Sequence, residues 1–293
     1  MSVSDLGHIT LYVPDVEACA MYAERVLGLH VTERVDDAVV MTPDYARNRV
    51  TYAPGAEPAL GEIGLVAASS EALDEIEVRA GRFGSTYERG ALGPYGVDAV
   101  RVTGPDGHPF VAYHEVTTGD DSWHPTAGIR NRRFGHVTMT APDIFLTEQF
   151  LVDVFGFRVS DRIAPGIGTW LRCSSEHHVL AVLQGPTPGL HHLAFDVASL
   201  SDLGDLGDKL AGNGMSLIFG PGRHGPGQNL FTYHLDPAGN CVEVTAEMQR
   251  IFDEASWEIG AFPAVPETEN VWGPLAPAGF DDYCTPLAAT PWR

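Results

Sequence analysis

Three stretches of the chain place imidazoles and a carboxylate in strand-like settings. They are Phe134-Gly-His136-Val-Thr-Met, Leu190-His-His192-Leu-Ala-Phe, and a dense run over residues 220–243 that holds His224, Tyr233 and Glu243. Two imidazoles and one carboxylate that leave metal positions open are the donor set of mononuclear non-heme Fe(II) sites. The same run adds two groups able to handle protons, His224 nine residues before Tyr233 and Tyr233 ten before Glu243. Taken singly, each residue reads as ordinary strand packing. Three of them at matching points of repeated modules read as one metal site, with His136, His192 and Glu243 as ligands.

The elements that must position these residues come from a duplication. Leu6-Gly-His-Ile-Thr-Leu-Tyr-Val-Pro-Asp15 matches Phe134-Gly-His-Val-Thr-Met-Thr-Ala-Pro-Asp143 at an offset of 128 residues. Each copy is an apolar strand ending in Pro-Asp, and the Asp is a good helix N-cap. Apolar residues then recur at helical spacing over 16–27 and 144–155 and stop at Gly28 and Gly156. Each half opens a second strand–helix run, at Ile63 and at His192, and closes in short strands such as 99–103, 110–116, 230–235 and 241–246. The pattern predicts an α+β fold of two tandem domains, 1–118 and 130–250, each built from two βαβββ modules. Residues 118–132 read as the linker. The acidic, Pro- and Gly-rich stretch 251–293 reads as a C-terminal strap or lid.

Aligning the halves pairs His136 with His8, His192 with Ile63 and Glu243 with Val111. One of three ligands survives in the first half, so the metal is expected only in the second, and His8 reads as structural. Strand alternation predicts that His177 and His191 point away from their neighbours His178 and His192.

Composition narrows the class. The chain has 293 residues, 44% of them hydrophobic and 19% charged, which is globular. Its net charge of −21 argues against a nucleic-acid partner, which requires clustered Lys and Arg. No apolar run approaches the roughly 18 residues of a membrane span, and the first residues, with no basic region and no long apolar core, do not read as a signal peptide. Four cysteines without close pairing read as reduced thiols in a cytoplasmic protein.

The run from Gly222 to Glu243 resembles the type I extradiol ring-cleaving dioxygenases of the vicinal oxygen chelate superfamily. It reads Gly222-Arg-His224, seven residues, Thr232-Tyr233, His-Leu, Asp236-Pro-Ala-Gly239, Asn-Cys-Val, Glu243. Thr232 stands where an apolar residue is usual. The Gly-Pro-Gly-Arg-His-Gly run, and the spacings Trp170 to His178 and His178 to His192, are similar to the homoprotocatechuate 2,3-dioxygenase branch. The resemblance implies Fe(II), with Mn(II) as the alternative, held by His136, His192 and Glu243. It implies a catechol chelated through its hydroxyl oxygens, with O2 beside it, and extradiol cleavage to a hydroxymuconic semialdehyde-type product. His178 would be the acid–base group, and Tyr233 and His224 would hydrogen-bond the catecholate. Trp170, Phe219 and Thr138 would line the substrate pocket. A homo-oligomer, a tetramer among the options, is expected.

The branch resemblance breaks where a substrate carboxylate would bind. Phe219 and the run Thr268-Glu269-Asn270-Val271 before Trp272-Gly273 occupy positions where that branch has arginines, and Thr138 replaces an Asn. A neutral catechol, alkyl-, aryl- or halogen-substituted, is therefore expected. Two rivals remain open: a glyoxalase or thiol-transferase type of metalloenzyme, and a metal-free binding protein of the bleomycin-resistance type.

Overall fold

The computed structural model describes residues 1–44, 46, 48–92, 96–114, 127–163 and 165–290. Most of the expected linker, 118–126, lies outside the described residues. Four repeats of strand, helix and three strands build the chain. The first is β1 (Val3–Val13), α1 (Val16–Tyr22), β2 (His30–Val35), β3 (Ala38–Thr42) and β4 (Val50–Pro54). The second is β5 (Ala59–Ala67), α2 (Ser70–Phe83), β6 (Tyr87–Leu92), β7 (Val97–Thr103) and β8 (Pro109–Tyr113). The third is β9 (Arg133–Ala141), α3 (Ile144–Phe150), β10 (Arg158–Ile163), β11 (Gly168–Arg172) and β12 (Leu180–Gln184). The fourth is β13 (Gly189–Val197), α4 (Leu200–Gly212), β14 (Leu217–Arg223), β15 (Leu230–Leu235) and β16 (Cys241–Ala246).

The first two repeats form one sheet, ordered β2-β3-β4-β1-β5-β8-β7-β6, and the last two form a second around the antiparallel pair β9/β13. Local chemistry sets the helices. The Asp15 and Asp143 carboxylates accept the backbone N–H of Ala18 and Leu146. Both helices are shorter than the periodicity suggested. Each passes into a π-helical turn, Ala23–Leu27 and Leu151–Phe155, which buries Val26, Leu27, Val154 and Phe155. Gly28 and Gly156 end them at φ 74° and 75°, a left-handed conformation that glycine adopts without a Cβ penalty.

The two sheets share apolar packing. Phe110 of β8 lies 5.7 and 5.4 Å, ring to ring, from Phe150 and Phe155. The tail adds β17 (Gly260–Phe262), parallel to β10, a short helix α5 (Pro266–Glu269), and β18 (Thr285–Pro286), antiparallel to β13. Ala288 N–H then donates to Leu60 O of the first sheet, so the tail bridges both. No described helix is long and apolar enough to cross a membrane.

Strand register corrects the alignment of the halves. Thr10 pairs with Glu62 as Thr138 pairs with His192, so Glu62, not Ile63, is the counterpart of His192. Residue matching slipped by one because the offset of 128 that holds for β1 and β9 becomes 130 for β5 and β13. In the first half His8 Nε2 lies 3.2 Å from Glu62 Oε1, and both side chains are fully buried. Arg101 lies 3.4 Å from Glu62 Oε2, and His8 Nδ1 bonds Tyr113 OH at 2.9 Å. His8 is thus held by protein partners, as expected of a structural histidine. Glu62→Ala takes the carboxylate from a mostly buried guanidinium. We expect a loss of about 3 kcal/mol or more in denaturant unfolding, with metal per chain unchanged.

Candidate active site

Three neighbouring strands of the second sheet deliver the triad: His136 from β9, His192 from β13 and Glu243 from β16. Ala194, in central β13, pairs with His136 on one side and Glu243 on the other. Paired residues share a face, so the small Ala194 leaves space between the two longer side chains. His192, two residues earlier, shares that face by alternation. Glu243 Oε2 lies 2.9 Å from His136 Nε2 and 3.1 Å from His192 Nε2, and the two Nε2 atoms are 3.3 Å apart. All three side chains are buried.

Hydrogen bonding assigns the protons. Phe280 O can only accept, so His191 Nε2–H donates to it at 3.2 Å. Neutral His191 then offers a lone pair at Nδ1, which accepts from His192 Nδ1–H at 2.7 Å. His192 is left with an unprotonated Nε2. Burial, more than any neighbour, holds the pKa of His192 down at about 4 and that of His191 at about 3, so both are neutral near pH 7. Burial pushes the Glu243 pKa up, but the attraction of His136 and a hydrogen bond from it outweigh that. Its carboxyl is held well below the usual range. The second carboxylate oxygen, Oε1, accepts from Asn229 Nδ2 at 3.2 Å, which leaves Oε2 for the histidines. A lone pair of His192 thus faces a carboxylate oxygen in a dry interior. A divalent cation relieves that repulsion, so the donor set fits one.

Around the triad lies a cavity of about 300 Å³. His178 sits in the turn between β11 and β12 rather than on a strand, its ring 4.5 Å from that of His136. His224 Nδ1–H donates to Glu269 O at 2.6 Å, so its Nε2 accepts from Tyr233 OH at 3.0 Å. Burial, then the Glu243 charge, pushes the Tyr233 pKa well up, so the phenol stays protonated. Phe231 stacks on His224 with ring centroids 3.9 Å apart. Trp170, Ile163, Ile167 and Leu183 make an apolar wall. Thr138, paired with His192, lines the cavity too, as do Phe219, Thr268, Glu269 and Asp281. No lysine or arginine is among the described lining residues. Burial, then Asp281, raises the Glu269 pKa.

Every residue singled out for the site in the sequence borders this cavity. Two placements were not legible there. His191 was expected to turn away, yet it lines the cavity, because a register shift between Leu190 and His192 breaks the alternation of β13. Asn229 stands between the two halves of the Gly222–Glu243 run, and only its contact with Glu243 reveals it.

Residues 133–244 match the model of the Glyoxalase/Bleomycin resistance protein/Dioxygenase superfamily. The chain is 28% identical over 293 aligned residues to the metapyrocatechase of Geobacillus stearothermophilus, a match covering 92% of this chain and 88% of that protein. Its fold is similar to the Mn(II)-bound glyoxalase from Novosphingobium aromaticivorans, with TM-score 0.87, 25% identity, and 99% and 96% of the two chains covered. It is also similar to homoprotocatechuate 2,3-dioxygenase from Arthrobacter globiformis, with TM-score 0.89, 21% identity, and 100% and 95% covered. The last likeness speaks to the fold alone.

His136→Ala, His192→Ala and Glu243→Ala should each abolish metal binding, since two ligands cannot replace three in this pocket. Metal content by elemental analysis checks this, and His8→Ala should retain the metal of the unaltered chain. Stoichiometric metal in Glu243→Ala would remove the triad assignment.

Proposed function

We propose that the protein, whose residues 133–244 match the model of the Glyoxalase/Bleomycin resistance protein/Dioxygenase superfamily, is an extradiol dioxygenase that opens a catechol ring with O2. The observation that carries the reading is the convergence of His136, His192 and Glu243 in a cavity that His178, His224 and Tyr233 also border. The metal is Fe(II), with Mn(II) as the alternative that the same ligands accommodate. When bound, it favours the catechol anion and supplies a path for electrons between catechol and O2. The two oxygen atoms of O2 end in the product, and the carbon–carbon bond beside the diol is the one broken.

The chain's own residues then do the following. Tyr233 and His224 meet the substrate oxygens as one hydrogen-bonded pair, oriented by Glu269 O. His178 takes a proton at its cavity-facing nitrogen and returns it as the O–O bond breaks. Trp170, Ile163, Ile167 and Leu183 exclude water and pack the ring. Residues 1–118 act as a non-catalytic domain, 130–250 as the catalytic one, and 251–293 as a strap across it. The likeness to the Mn(II)-bound glyoxalase favours one second reading, a glyoxalase-type metalloenzyme using the same triad. Oxygen consumption with catechol, with formation of a yellow ring-fission product, separates the two.

His178→Asn should keep metal and catechol binding and slow turnover by roughly 10²- to 10⁴-fold, the usual effect of losing a positioned acid–base group. Turnover unchanged at saturating catechol and O2 would take His178 out of the mechanism.

The substrate is a neutral catechol. A substrate carboxylate beside Phe219 and Glu269 meets no lysine or arginine among the described lining residues, and leaving it unpaired costs several kcal/mol. We expect 4-methylcatechol to be cleaved at least ~100-fold more efficiently than homoprotocatechuate, since about 1.4 kcal/mol is tenfold. The measurement is kcat/KM for both at matched O2 and metal loading. Equal values would reject the charge argument, and Phe219→Arg with Glu269→Arg should move preference toward the acid.

A further inference from the structure

Two buried groups behind the cavity have no part in that reading, His177 and Asp161. Asp161 stands on β10. Its Oδ1 accepts the Gly260 N–H at 2.9 Å, and its Oδ2 lies 2.8 Å from His177 Nε2. His177 Nδ1 in turn lies 3.0 Å from His178 Nδ1. We infer that Asp161 and His177 are positioning residues that set which nitrogen of His178 carries the proton. The inference rests on the proposed role of His178, but it concerns atoms that need no substrate to be observed.

A carboxylate only accepts, so His177 Nε2 must be the donor to Asp161. A neutral imidazole carries one N–H, which leaves a lone pair on His177 Nδ1. Two lone pairs at 3.0 Å repel, so His178 Nδ1–H donates to it. His178 Nε2 therefore has no proton, and it is the ring nitrogen left for the cavity. In the resting protein His178 is then a proton acceptor. It takes the hydrogen of a catechol hydroxyl before it has any to give.

The surroundings hold this arrangement from both ends. His177 N–H donates to Gln249 O at 2.9 Å, its carbonyl accepts from Ser160 Oγ at 2.5 Å, and the Trp257 ring stands edge-on to it at 5.8 Å. At the other end, Gly260 brings its N–H to Asp161 where any side chain would collide. A Cβ there would lie 2.4 Å from Asp161 Oδ1. The His191–His192 pair repeats the device with a backbone carbonyl in place of the carboxylate. In both pairs an outer histidine, anchored to an obligate acceptor, turns the inner histidine's Nε2 into a lone pair. The competing arrangement makes His177 an imidazolium paired with Asp161. His177 Nδ1–H would then donate to His178, and His178 would present an N–H to the cavity.

The two arrangements differ by the position of one proton, which 15N–1H long-range correlation spectra of histidine resolve. The sample is the full chain, 15N-labelled and loaded with diamagnetic Zn(II). The expected spectrum shows His178 protonated at Nδ1 and bare at Nε2, with His177 protonated at Nε2. An Nε2–H on His178 overturns the inference. Asp161→Asn supplies an amide N–H that can donate to His177 Nε2 and so reverse both tautomers. It should invert the His178 signals and lower kcat for catechol cleavage by roughly 10²-fold or more, while KM and Zn(II) affinity stay as they were. An Asp161→Asn protein with unchanged tautomer and unchanged kcat also overturns it. If that variant does not fold, the spectrum of the unaltered chain still decides. If the unaltered chain cleaves no catechol, the spectrum reports on His178 all the same, so the two readings fail separately.

Discussion

Lone pairs brought together inside a dry protein interior repel, and the second half of this chain is arranged around such a meeting. Glu243 Oε2 and the Nε2 of His192 face each other at 3.1 Å, with His136 Nε2 at 2.9 Å. Burying an uncompensated charge costs far more than any single packing contact returns. The arrangement therefore makes sense as the cradle of a cation. Much of the surrounding hydrogen bonding serves to keep it a cradle: Asn229 occupies the other carboxylate oxygen, and His191 holds the proton of His192 on the far nitrogen.

The first half shows how the same scaffold answers the problem without a metal. At the position of His192 it has Glu62, at the position of Ala194 it has Gly64, and Val111 replaces Glu243. Gly64 lets the His8 ring lie directly over the backbone, since a Cβ there would lie 2.1 Å from His8 Nδ1. His8 settles against Glu62 and Tyr113, and Arg101 adds its charge. One half keeps a set of acceptors that wants an external cation. The other half brings its own guanidinium to the carboxylate.

The tail belongs to the site as much as the sheet does. Phe280 O anchors His191, and Glu269 O anchors His224, each by accepting one N–H. Both carbonyls come from 251–293, and β17 supplies the Gly260 N–H to Asp161. Backbone atoms of the tail thus orient three of the histidines around the cavity, directly or through one neighbour. The same segment places Glu269 and Asp281 on the cavity wall.

The repeated strand–helix–strand pattern was legible in the residues because helix caps, glycine stops and apolar periodicity are local signals. So were the chemical types that make a metal centre, since a facial donor set is a matter of which side chains are present. Residue matching between the halves failed by one position at Glu62, because loop lengths shift between modules and only hydrogen-bonded register shows the slip. His191 was misread for a related reason. Alternation assumes a regular strand, and the bulge in β13 puts two consecutive histidines beside the same cavity. What the sequence alone determined was the fold's repeat, the presence of residue types able to form a donor set and the absence of arginines at Phe219 and Glu269. Which nitrogen of each histidine faces the cavity was decided only in three dimensions. A tautomer is set by the partner across the ring, and those partners, Phe280 O, Glu269 O and Asp161, lie 89, 45 and 16 residues away along the chain.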